Sequence, residues 1–132
     1  MALKLTLRPG EKLLLGPAVL QCVEQTAKVL VLNKVPIVRD KDIITEEEAD
    51  TPAKKLYATI LKMYLDQEHE RKYHEAYFHL LRQLIAMNVE TKALNLLMDV
   101  SERIIEGDHY RALKACRKLV DYEARVLNDE HG

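Results

Sequence analysis

The sequence predicts an α+β protein: a small N-terminal antiparallel β module of about five short strands, followed by a bundle of about four helices. Three observations carry this prediction. Apolar residues recur at every second position up to Arg39, and at helical spacing from Thr45 onward. Pro-Gly and Gly-Pro pairs cut the first stretch into short pieces, as turns between strands do. With 132 residues, 48% hydrophobic and 31% charged, the chain is long enough to bury a core without disulfides or metals.

In the first strand, Leu3, Leu5 and Leu7 alternate with Lys4, Thr6 and Arg8, placing three leucines on one face and three polar side chains on the other. Pro9-Gly10 supplies a turn. Lys12 to Leu15 forms a second strand closed by Gly16-Pro17. Ala18 to Glu24 and Ala27 to Asn33 give a third and a fourth, joined at Gln25-Thr26. Val35 to Arg39 is the fifth, and its Pro36 suits an edge or a strand start. The module boundary falls between residues 1–44 and 45–132. Thr45-Glu46-Glu47-Glu48 has the capping-box form, and Thr51-Pro52 offers a second helix start with proline in the first turn. Leu56, Ile60, Met63 and Tyr64 mark the first helix, and Tyr73, Tyr77, Leu80, Leu81 and Leu84 the second. A third runs over about 92–106, with Leu94, Leu97, Met98, Ser101, Ile104 and Ile105 as its stripe. Gly107 stops it and Asp108 caps the fourth, which carries Leu113, Cys116, Val120 and Leu127 before a polar tail frays from Asn128.

Charge divides along the same boundary. Twenty basic and twenty-one acidic residues leave a net −1, which argues against a general polybasic binder. Residues 1–45 hold seven basic and four acidic residues, a net of +3, so residues 46–132 carry −4. A basic β module points to an anionic partner at that end. The longest apolar runs are far short of a membrane span, the N-terminus lacks the pattern of a signal peptide, and Cys22 and Cys116 suit reduced thiols. A cytoplasmic protein is expected, with no membrane contact.

Catalytic constellations are missing. His69, His74 and His79 lie five apart and share no helix face, and Phe78 stands where a zinc-protease helix needs its second histidine. The sole serine, Ser101, sits mid-helix, and no phosphate loop is present. Glu46, Glu47 and Glu48 are explained by capping and the helix dipole. The chain is therefore read as a non-enzyme without cofactor or metal. The helical tyrosines fit either core packing or a partner groove.

Three stretches carry a resemblance: Leu3 to Leu13, Val38 to Tyr57 (most specifically Thr45-Glu46-Glu47-Glu48-Ala49-Asp50-Thr51-Pro52-Ala53), and Gly107-Asp108 with Tyr110, Ala112, Leu113, Lys114 and Tyr122-Glu123. Together they resemble the FlbT family of bacterial flagellin regulators over nearly the whole chain. The resemblance implies a post-transcriptional regulator that binds the 5′ untranslated region of flagellin messenger RNA, repressing translation or promoting decay while the flagellum is incomplete. Within the first part, Leu5-Thr6, Arg8, Gly10-Glu11 and Val38 to Ile43 are similar to the carbon-storage regulator CsrA, a five-stranded RNA-binding dimer. That family's key arginine stands three residues before the closing Ile; here the position is Asp40, and Arg39 lies one residue away.

The expected RNA-binding residues are Lys4, Arg8, Arg39, Lys41, Lys54 and Lys55. Lys4 and Arg8 share one face of the first strand, and Arg39 and Lys41 share one face at the end of the last. If first and last strands are neighbours, as the CsrA likeness implies, these four form one cationic stripe that Lys54 and Lys55 extend. Aromatic residues are absent from residues 1–45, so phosphate and main-chain contacts would carry the binding. The expected partners are a flagellin mRNA leader, a flagellar protein on the acidic helical half, and a second copy joined through the β half. The alternative function is a protein-binding adaptor or chaperone-like factor in flagellar assembly, without direct RNA binding.

Overall fold

A computed structural model describes residues 2–88 and 90–131. The chain divides into two compact units, Met1–Ile43 and Ile44–Gly132. The first contains β1 (Leu3–Leu7), β2 (Lys12–Leu15), β3 (Ala18–Gln21), β4 (Ala27–Val31) and β5 (Ile37–Arg39). The second contains α1 (Pro52–Leu65), α2 (Arg71–Met87), α3 (Thr91–Ile105) and α4 (His109–His131). The molecule is α+β, as its periods predict.

In the β unit, β1 pairs antiparallel with β4, while β2 lies between β3 and β5 in a second antiparallel sheet. The β1–β4 register sets Leu3 against Val31 and Leu7 against Ala27. Alternation then turns Leu5, Leu7 and Val31 inward, where they are buried, and leaves Lys4, Thr6, Lys28 and Leu30 exposed on the other face. Leu13 and Cys22 complete the buried cluster, and Leu15, Val29, Val35 and Ile37 pack against it. The Arg8–Glu11 turn closes with the Glu11 amide on the Arg8 carbonyl at 3.0 Å. Gly10 sits at φ 86°, the conformation a type II turn requires after proline. Gly16-Pro17 forms the two-residue β2–β3 loop, with Gly16 at φ 55°.

Strand ends differ from the sequence reading for local reasons. The fifth strand begins at Ile37, because Pro36 has no amide to give the ladder; its carbonyl instead accepts from the Gly16 amide at 2.8 Å. The third ends at Gln21, after which Cys22 exchanges main-chain bonds with Gly10 and Glu11 of the turn. The fourth ends at Val31 instead of reaching Asn33.

Both predicted helix-start signals form hydrogen bonds, and only one starts a helix. Glu48 N–H donates to Thr45 Oγ1 at 3.2 Å and Thr45 N–H to Glu48 Oε1 at 3.2 Å, the reciprocal pair of a capping box. The segment nevertheless stays a turn. Thr51, directly before proline, is forced to extended backbone (φ −127°, ψ 160°), so no helix can run through it. That conformation suits an N-cap, and Thr51 Oγ1 accepts from Lys54 N–H at 3.3 Å. The core of this unit joins Leu56, Ile60 and Met63 of α1 to Tyr77 and Leu84 of α2, Leu97 and Val100 of α3, and Leu113, Cys116 and Leu119 of α4. Helices α1 and α3 both pack along α4, α2 lies against α1, and α2 and α3 barely touch. Asp108 caps α4 through the Arg111 amide at 3.0 Å. That helix continues to His131 where fraying from Asn128 was expected. Tyr110, expected near the core, is 48% exposed.

Candidate nucleic-acid surface on the β unit

Lys4 and Arg8 flank Thr6 along β1 and the turn that follows it, and both are exposed. The register places Lys28 of β4 directly across from Thr6. Strands β1 and β5 are not paired with each other, so the stripe is not built by neighbouring strands as the sequence suggests. A side chain bridges them instead: Arg39 Nη2 donates to the Thr6 carbonyl at 2.8 Å. Its guanidinium has further N–H groups beyond the one used here. Arg39 thus meets β1 at Thr6, the residue that pairs with Lys28, with Lys4 and Arg8 two residues to either side.

Lys41 departs from the expected alternation. The strand ends at Arg39, and residues Asp40–Asp42 form a 3-10 turn, so Arg39 and Lys41 do not share a strand face. Asp40 Oδ1 accepts from the Lys12 amide at 3.0 Å, which draws the chain off the ladder. The two cations, with Glu11 and Asp40, still line one open cleft of about 360 Å³. Mixed charge there makes the cleft a weaker anion site than the Lys4–Lys28 face. Lys54 and Lys55 belong to the first turn of α1 in the helical unit; Lys54 Nζ lies 3.2 Å from Asp50 Oδ1, and Lys55 is exposed. Lys28 is the residue the sequence reading passed over. Strand pairing alone reveals it, because β1 and β4 are twenty residues apart in sequence.

The helical unit holds two carboxylate clusters. Glu123 of α4 accepts from Thr51 Oγ1 with one oxygen and from the Ala53 amide at 3.1 Å with the other. Cys116 Sγ lies 3.9 Å from the Ala53 carbonyl, and burial pushes its thiol far up. The Thr-Pro-Ala and Tyr-Glu segments of the resemblance therefore meet as a helix cap. Glu70 Oε1 receives His109 Nε2 at 2.8 Å and His74 Nε2 at 3.2 Å. Burial alone would raise the Glu70 carboxyl, but the hydrogen bonds from His109 and His74 outweigh it and hold it below the usual range. His109, 6% exposed, is the buried histidine that no sequence spacing flagged. Among the described residues no three of His, Cys, Asp and Glu gather as a metal site, and no helix is long and apolar enough to cross a membrane.

A family profile described as "Flagellar protein FlbT" matches residues 3–127. A probable flagellum biosynthesis repressor protein FlbT of Caulobacter sp. (strain K31) is 34% identical over 127 residues, covering 96% of this chain and 97% of its own. The probable flagellum biosynthesis repressor protein FlbT 1 of Bradyrhizobium diazoefficiens is 36% identical over 127 residues, covering 96% and 85%. The flagellum biosynthesis repressor protein FlbT of Caulobacter vibrioides (strain ATCC 19089) is 32% identical over 127 residues, covering 96% and 90%. No solved structure matches the chain.

Proposed function

Because this chain belongs to the FlbT family, we propose that it regulates flagellin synthesis by binding the 5′ untranslated region of flagellin mRNA through its β unit, repressing translation or promoting decay. The relatives' shared name, flagellum biosynthesis repressor, supports a regulatory role in flagellar synthesis and describes no enzyme. The observation that carries the RNA reading is that Thr6 both receives Arg39 and pairs with Lys28, with Lys4 and Arg8 alongside. The four cations around Thr6 are proposed to contact one stretch of RNA backbone. Lys41 is their proposed extension within the β unit. Without aromatic side chains in the unit, recognition rests on phosphates and main-chain groups.

The working form is proposed to be a homodimer through the β half. Strands β1 and β5 each pair on one side only, and all four residues of β3 are exposed along its single partner. Such free edges invite a symmetric partner.

The test is titration of a flagellin leader RNA and a scrambled control at two salt concentrations. The double variant Arg8→Glu/Arg39→Glu should lose at least tenfold in affinity. Since Arg39 also holds the Thr6 carbonyl, Lys4→Glu/Lys28→Glu serves as a second variant that sacrifices no main-chain bond. Unchanged affinity in both would remove RNA from the β unit and favour the adaptor reading, which the open apolar surface of the helical unit independently supports.

A further inference from the structure

The helical unit leaves one apolar surface without a partner. Because α2 and α3 barely touch, a trough of about 420 Å³ opens between them, lined by Leu81 and Ile85 of α2 and by Leu94, Met98, Glu102 and Ile105 of α3. Its side chains are unusually exposed for their size: Ile85 at 48%, Met98 at 59% and Ile105 at 84%. Scattered apolar residues of this kind are ordinary, but a contiguous row along two helices is a mark of an interaction site. From Leu94 to Ile105 the row runs about 16 Å, or three helical turns. Ser101, the other polar lining residue, already accepts from Tyr77 Oη at 3.4 Å.

Glu102 decides what fits. It is the one charged residue among those lining the trough. Its neighbours Asp99 and Glu106 are both engaged by Arg103, at 3.5 Å each, whereas Glu102 has no ion-pair partner among the described residues. A second copy laid across the trough about a two-fold axis would bring two Glu102 carboxylates to the same apolar patch, which like-charge repulsion opposes. A cation on the occupant removes that conflict. The stripe's length and spacing match the i, i+3, i+4, i+7 anchors of an amphipathic helix, and methionine and isoleucine walls adapt to such a helix.

We propose that the α2–α3 trough docks an amphipathic helix of a partner protein, whose apolar face fills the trough and whose lysine or arginine pairs with Glu102. This surface shares no residue with the cations of the β unit, and its test does not depend on RNA binding.

The experiment uses the full chain and two synthetic helical peptides with one identical leucine face, one flanked by lysines and the other by glutamates. Fluorescence anisotropy should show saturable binding of the lysine peptide, at least tenfold tighter than that of the glutamate peptide. Glu102→Lys should invert this preference, and Met98→Asp with Ile105→Asp should abolish binding of both. Met98 and Ile105 are exposed, so these variants should melt as the wild type does. No saturable binding, or equal affinity for the two peptides, overturns the proposal. So does binding of laurate with no binding of either peptide, or a self-associated form that Met98→Asp dissolves.

Discussion

Glu123 stands 72 residues beyond the hydroxyl it receives and 70 beyond the amide it caps. A carboxylate in that position satisfies one free amide of the first turn of α1 and places negative charge at the positive end of the helix. Thr51 is thereby both a cap acceptor for Lys54 and a donor to Glu123. Glu123→Ala should destabilise the protein by about 1–3 kcal/mol, and Glu123→Gln, which keeps the shape and loses the charge, by about 1 kcal/mol. Urea unfolding measures both, and a change below about 0.5 kcal/mol in the alanine variant would show the cap to be idle. Neither this cluster nor the Glu70–His109 pair is visible as a spacing in the sequence. The partners of the second lie 39 residues apart, and nothing local in either segment calls for the other.

At the scale of elements, the two-residue alternation of Leu3, Leu5 and Leu7 fixes which face of β1 is dry, and the structure agrees at Leu5 and Leu7, which bury into the β-unit core, whereas Leu3 at the strand's start is 47% exposed. Register is another matter. The pairing of β1 with β4 instead of β5 depends on contacts between distant segments, so the cationic face gains Lys28 and loses the regular step to Lys41. The helical half was legible down to its local caps, since Thr51-Pro52 and Gly107-Asp108 act within one turn. The misjudged start at Thr45 has the same origin: the capping box is a local bond pattern, and the proline six residues after Glu46 vetoes the helix it announces. If Lys28 contacts phosphate, Lys28→Ala should lower the dependence of log affinity on log salt by about 0.7, equally for leader and scrambled RNA. An unchanged slope at unchanged stability would exclude that contact.

At the scale of the whole molecule, the open edges of the β unit make association the main question. Sedimentation equilibrium at micromolar concentrations should give twice the chain mass, and Val19→Lys, placed on the exposed β3 edge at a residue 66% exposed, tests whether that edge takes part. A monomer throughout the range would refute the dimer. The cap on α1 has a consequence that appears only when the chain is followed in time. Ribosomes add about 5–20 residues per second, so the first turn of α1 is made roughly 4–14 seconds before the residue that seals it. During that interval, and in every product that stops short of Glu123, the Ala53 amide lacks the carboxylate that receives it in the full chain. A finished chain therefore differs from one terminated before Glu123 at the first turn of its first helix.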